Sequence, residues 1–314
     1  MLTMALLAAP SSVASAQGKH LNPIVDLLDQ RKPVFGLYAP ANPRTRPGQP
    51  PSPNAPAAKS RAELAMDALA YTNGDYVFDG TMEGNFDAGY AGFAEFAKGM
   101  TAAGMLKRSH PLMVKTPEIA PNPALAGERI AKQLNLGVSG IVFVGVESAS
   151  EVRQGLAMMR FKSKGGTRPD DVGSAPARWG MSEREYREKA DLWPLEAKGE
   201  LINWTIVESK EGLANVREIA AVKGIGALFP GAGTLRGVFT STDSSGKRVF
   251  DEAAWEASIQ SVLAACKEFS VPCGYPASLS DIEMRMKQGF SVFVIGWGEP
   301  GMKTIELGKK VARR

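Results

Sequence analysis

Histidine is almost missing from this chain of 314 residues, which has only His20 and His110. With so few, neither a Ser-His-Asp nor a Cys-His arrangement can be assembled at one end of a sheet. Cysteine is as scarce. Cys266 and Cys273, across a helix-to-strand turn, form neither a disulfide framework nor a zinc spacing. They read as two small apolar side chains packed in the interior, with a local disulfide as the alternative if the chain is exported. No internal segment is apolar for long enough to be a transmembrane helix. The 37 Lys and Arg against 33 Asp and Glu leave +4, spread without a long basic run. That distribution argues against nucleic acid as a partner and suits a small anionic substrate. Apolar residues at 44% and charged residues at 22% exclude disordered and collagen-like classes.

The N-terminus is the one region with a targeting signature. Residues 1–9 are apolar, and the small residues that follow end in Ala14-Ser15-Ala16 before Gln17, an A-x-A-like cleavage pattern. The run is too short to span a bilayer and lacks a positive flank. Residues 1–20 are therefore expected to be a signal peptide or a flexible arm. A cleaved signal implies a periplasmic or secreted protein, and an arm a cytoplasmic one. Residues 21–314 are expected to form one domain.

Within that domain, short β-rich apolar runs alternate with longer amphipathic segments. The predicted strands cover residues 33–40 (PVFGLYAP), 76–80, 110–115 (HPLMVK), 140–147 (GIVFVGVE), 200–208 (ELINWTIVE), 226–230 (GALFP), 271–275 and 290–297 (FSVFVIGW). Predicted helices fill the gaps, among them 61–72, 87–100, 124–136, 149–161, 182–198, 212–222, 252–269 and 279–288, with a last helix from residue 300. A polar stretch at 162–179 interrupts the rhythm, and a proline-rich loop at 41–60 follows the first strand, where it can act as a lid or subunit contact. Continuously apolar strands, each followed by an amphipathic helix, specify a parallel sheet covered by helices. Eight such units predict an α/β fold of the (β/α)8 TIM-barrel type, whose chemistry sits at the C-terminal strand ends.

Those ends carry Asp79-Gly80, Lys115-Thr116-Pro117-Glu118, Glu147-Ser148, Glu208-Ser209 and Pro230-Gly231-Ala232-Gly233-Thr234. Carboxylates at neighbouring strand ends are what a hard divalent cation such as Mg2+ or Mn2+ needs, since it takes oxygen ligands and keeps waters that substrate displaces. The same carboxylates also serve as ion-pair partners or helix caps. The run Gly231-Ala232-Gly233 lets a substrate carbonyl or carboxylate approach backbone N–H groups.

The segment Trp204-Thr205-Ile206-Val207-Glu208-Ser209, followed by Gly226-Ala227-Leu228-Phe229-Pro230-Gly231-Ala232-Gly233, resembles the metal-site region of the HpcH/HpaI aldolase family. Asp75 to Gly80, Val144 to Ser148, and Gly173-Ser174-Ala175 with Ala177-Arg178-Trp179 echo the same family in the same order. The resemblance implies a homo-oligomer, trimeric or hexameric, that cleaves 4-hydroxy-2-oxo acids to pyruvate and an aldehyde with a divalent metal. Carried over, it implies Glu208 as metal ligand, Asp79 as partner of a base, Lys115 where the family has a substrate-binding arginine, and Gly231 to Gly233 beside the substrate. It also exposes departures: Met82 falls on the position of the family's acid/base histidine and Gly233 on that of its second metal ligand. Glu147 and Glu83 are candidate substitute ligands. These departures leave two readings open: a divergent lyase with a rebuilt site, or an exported binding or assembly protein that has lost the chemistry.

Overall fold

The computed structural model describes residues 19–43, 57–102 and 109–314. The leader through residue 18, the middle of the proline-rich loop and residues 103–108 lie outside the described residues.

Eight parallel strands form the frame: β1 (Val34–Tyr38), β2 (Tyr76–Asp79), β3 (Leu112–Lys115), β4 (Gly140–Phe143), β5 (Leu201–Val207), β6 (Ala227–Pro230), β7 (Gly274–Ala277) and β8 (Val292–Ile295). β2, β4, β5, β6 and β8 are buried along their whole length, as strands are when helices cover one side and a barrel interior the other. Neighbours pair in chain order from β1 to β6, while β8 pairs both β7 and β1. A parallel bridge between Leu228 and Cys273, with Leu228 N–H donating to Pro272 O at 2.9 Å, closes the circuit between β6 and β7. The sheet is therefore the curled, barrel-like sheet that the alternating pattern predicts.

Helices begin where the sequence supplies caps. Ser60 and Ser182 each form a reciprocal capping box with a Glu three residues on, starting Arg61–Ala70 and Glu183–Lys189. The predicted helix over 182–198 ends at Lys189, because Leu192–Trp193 is drawn out as an extra strand beside the start of β5 and Pro194 follows with a cis bond. Proline has no N–H to continue a helical ladder. The predicted helix 212–222 is likewise two short helices, Lys210–Ala214 and Val216–Ala220, hinged at Asn215, whose side-chain amide is drawn to Glu147 O at 2.9 Å. The hairpin of Thr240–Thr242 with Arg248–Phe250 has no counterpart in the sequence reading, since its residues are exposed and carry no apolar alternation.

The barrel interior is aromatic. Trp204 meets Tyr76 edge-on at 5.0 Å and Phe229 at 5.2 Å. Gly36 makes room for the Tyr76 ring, since a Cβ there would lie 2.3 Å from it. The helix Pro23–Asp29 closes the N-terminal end of the barrel with Ile24, Val25 and Leu28, packed with Val34, Met113, Ile202 and Val292. His20 and Asn22 belong to this plug: the buried Glu200 carboxylate accepts from Leu21 N at 2.9 Å and Asn22 N at 2.7 Å. Cys266 and Cys273 are joined in a disulfide between the helix Glu252–Phe269 and the approach to β7, not held as two packed thiols. The turn brings their Cα atoms to 5.6 Å, within bridging distance. Among the described residues no helix is long and apolar enough to cross a membrane.

Candidate active site

The C-terminal ends of the strands surround a cavity of about 220 Å³. Its mouth carries Lys115 from the end of β3, Glu208 from the end of β5 and Thr234 beyond β6, with Gly231, Ala232 and Gly233 along one side. Its depth is apolar, formed by Phe78, Val142, Trp204, Ile206, Phe229 and Val294. Tyr38 from β1 leans over it, edge-on to Phe78 at 4.8 Å.

Each charged group is fixed by a specific neighbour. Lys115 is mostly buried, and its Nζ donates to Glu83 Oε2 at 2.8 Å, so the ammonium is held at the mouth by an ion pair. Gln133 supports the same turn by donating from Nε2 to Lys115 O at 2.8 Å. Glu208 Oε1 accepts from Gly145 N at 2.9 Å, which leaves its Oε2 on the side of Gly231. A Cβ at position 231 would lie 2.4 Å from Glu208 Cβ and 2.6 Å from Oε2. Glycine is thus required at 231 for Glu208 to reach the cavity.

The structure brings together Lys115, Glu208 and the Gly231 to Gly233 run, and it turns Asp79 elsewhere. Asp79 Oδ1 accepts from Thr81 N at 2.8 Å and Thr81 Oγ1 at 2.5 Å, which shapes the turn that carries Glu83. Burial raises the Asp79 carboxyl above its ordinary value, only partly offset by these two hydrogen bonds. Met82 is fully buried and receives Gln133 Nε2 on its sulfur at 3.5 Å, so it is a packing residue facing away from solvent. His110 is buried before β3, with Nε2 3.2 Å from Tyr71 O. Tyr38 has no site role in the sequence reading, and Trp204 and Thr234 stand in it as motif members without one. Trp204 is an interior strand residue whose type signals core, and Thr234 was one hydroxyl among many. Only the register of β5 and the turn after β6 bring them to the cavity.

A lateral recess of about 410 Å³ opens beside the mouth and is lined by Glu83, Glu118, Glu147, Glu151, Glu208 and Thr234. The substitute ligands Glu83 and Glu147 therefore share a recess with Glu208. Among the described residues, however, no three His, Cys, Asp or Glu side chains are grouped to hold a metal ion. Glu83 is engaged by Lys115, Glu208 commits one oxygen to Gly145, and Gly233 contributes no side chain and faces open space. Thr234, not Gly233, is the residue of this turn that borders both cavity and recess with Glu208. Gly233 thus supplies no second carboxylate beside Glu208, and the substitute Glu83 is held by Lys115.

Residues 110–285 match the family described as HpcH/HpaI aldolase/citrate lyase. No curated protein matches the chain in sequence. Among solved structures, a HpcH/HpaI aldolase/citrate lyase family protein from Burkholderia cenocepacia J2315 is similar with a TM-score of 0.61 at 20% identity, over 91% of this chain and 96% of that one. Macrophomate synthase gives 0.61 at 17% identity, over 98% and 94%. CitE from Mycobacterium tuberculosis, in complex with magnesium and pyruvate, gives 0.51 at 14% identity, over 90% and 91%. At these identities the likeness is one of fold.

Proposed function

Because this chain belongs to the HpcH/HpaI aldolase/citrate lyase family, we propose that it is a carbon–carbon lyase acting on a small hydroxylated 2-oxo acid. The observation that carries this reading is the placement of one ammonium, Lys115, and one carboxylate, Glu208, on the wall of a single cavity. An anionic head group is drawn to the ammonium. The aldol bond next to it then breaks in a site whose apolar walls strengthen both charges.

In the cleavage direction, Glu208 Oε2 takes the proton of the 4-hydroxyl group, and the C3–C4 bond breaks to release an aldehyde. The electron pair passes to the 2-oxo oxygen as an enolate, which Lys115 Nζ–H stabilises by a charge-assisted hydrogen bond. The proton on Glu208 is then available to C3, giving pyruvate or a homologue. Glu83 keeps Lys115 aimed between turnovers. A divalent ion such as Mg2+ or Mn2+, supported by the magnesium in the M. tuberculosis relative, would be a different electron sink. The family's ligand pair is incomplete here, with Gly233 at the second position and Glu83 paired to Lys115.

The second reading is a barrel that binds an anionic ligand without breaking a bond. Met82 at the family base position favours it, because a buried thioether moves no proton. Subunit association to a trimer or hexamer belongs to either reading, and light scattering on the purified chain tests it. The function itself is tested by following aldehyde and pyruvate release from a panel of 4-hydroxy-2-oxo acids. Turnover abolished by Glu208→Gln supports the lyase. Tight binding of 2-oxo acids without release from any panel member favours the binding protein.

A further inference from the structure

Tyr38 is the residue of β1 that leaves the core: Val34 to Leu37 are buried, and Tyr38 at the strand end is 39% exposed. Its ring packs edge-on against Phe78 at 4.8 Å and lines the cavity shared by Lys115 and Glu208. The ring also stands beside Lys115. A Cβ built on Gly80 would lie 3.8 Å from Tyr38 Cε1, the ring carbon next to the one that carries the hydroxyl, and 3.5 Å from Lys115 Cδ. The phenol edge and the lysine stem therefore flank one glycine of the turn after β2.

The Tyr38 hydroxyl is uncommitted. It makes no hydrogen bond among the described residues. The Tyr71 and Tyr76 hydroxyls, by contrast, donate to Met302 O and Phe293 O, and those of Tyr186 and Tyr275 receive Arg168 and Arg285. Burial raises the Tyr38 phenol above its ordinary value, while Lys115 draws it down and Glu83 and Asp79 push it up. At neutral pH it is a protonated donor. Lys115 alone answers an enolate only in part, because its Nζ is already shared with Glu83 Oε2 at 2.8 Å and that carboxylate offsets its charge. Oxyanion sites aim preorganised donors at the oxygen where charge develops, and a tyrosine hydroxyl is one of the groups that serve.

We infer that Tyr38 Oη–H is a second donor to the substrate's 2-oxo oxygen, beside Lys115 Nζ–H, as the C3–C4 bond breaks. The identity of that oxygen rests on the lyase reading; the choice of donor rests on the cavity geometry. No proton leaves the phenol. The electron pair of the broken bond ends on the 2-oxo oxygen, held by one N–H and one O–H, and Glu208 keeps the proton destined for C3. Tyr38 is then a catalytic residue, and loss of its hydroxyl weakens the hold on an enolate more than on a ketone.

The test uses oxalate, a stable planar stand-in for the pyruvate enolate, and pyruvate, which sets the same carboxylate beside a neutral ketone. Titration calorimetry on the full chain compares wild type with Tyr38→Phe, which keeps the ring against Phe78. The variant should bind oxalate about tenfold to a hundredfold more weakly, the size of a hydrogen bond to a charged acceptor, and pyruvate less than about fivefold more weakly. On the panel of 4-hydroxy-2-oxo acids its kcat should fall about 10²-fold with KM changed less than about threefold. Tyr38→3-fluorotyrosine keeps the hydroxyl, and its fluorine NMR resonance should move when oxalate saturates the site. Equal losses for oxalate and pyruvate, oxalate binding in Tyr38→Phe as tight as in wild type, or an unmoved fluorine resonance each overturns the inference while the lyase reading stands on its own panel. If Tyr38→Phe does not fold, the fluorine readout decides. If the Tyr38-dependent preference for oxalate is found but no panel member is cleaved, the lyase reading falls and Tyr38 stands as a donor to the bound anion. If wild type binds neither oxalate nor pyruvate, both fall.

Discussion

Asp79 shows how one residue's environment redirects a role suggested by its position. It ends a strand beside the cavity, yet both of its hydrogen bonds to protein run to Thr81, and burial raises its carboxyl above the ordinary value of 3.8. A group raised in the folded state gives stability that is complete below its unfolded value and is lost as pH rises through the folded one. Asp79→Asn keeps the acceptor for Thr81 and removes that loss. The variant should match or exceed wild type in melting temperature at pH 7, and it should show a flatter dependence from pH 4 upward in a melting series. Gly231 makes the complementary case. Gly231→Ala pushes a methyl group to within 2.4 Å of Glu208 Cβ. Moving Glu208 by about 1 Å should cost roughly a hundredfold in kcat, with about 1–3 kcal/mol of stability lost to overpacking in denaturant unfolding. At this scale the sequence was legible where charge meets a strand end, as at Lys115 and Glu208. It was not legible where the decisive property is a neighbour's shape. Nothing in the string separates Gly231, which must be glycine, from Gly233, which faces open space.

Among the elements, the eight strands and the principal helices follow directly from apolar periodicity and serine caps, because most of the strands are buried along their whole length. Failures cluster where tertiary contacts override local preference. The segment after Lys189 leaves its helix because Asp191, held by Arg160 at 2.7 Å, anchors Leu192–Trp193 beside β5. The N-terminal plug depends on a single buried acid: Glu200 accepts from two backbone N–H groups and lies 3.6 Å from His20. Glu200→Ala should cost about 3 kcal/mol in denaturant unfolding, because two buried donors lose a charged acceptor. Glu200→Gln, which keeps one oxygen, should cost less. Equal stability of all three proteins would mean that the plug contributes nothing to the fold.

For the whole molecule, the barrel-like sheet leaves an aromatic-floored cavity lined by a fixed ammonium and a fixed carboxylate, and Gly233 supplies no side chain at the second metal-ligand position expected from the family resemblance. The central claim is that Lys115 does the electrostatic work of cleavage. It is tested most directly by pyruvate release from a 4-hydroxy-2-oxo acid by wild type and Lys115→Met, each assayed with a chelator and with added Mg2+ or Mn2+. The account predicts that wild type turns over in the chelator and that Lys115→Met loses about 10²–10³-fold in kcat under every condition, the scale of removing an oxyanion-stabilising donor. Wild-type turnover that disappears in the chelator, or a Lys115→Met enzyme as fast as wild type, would contradict it.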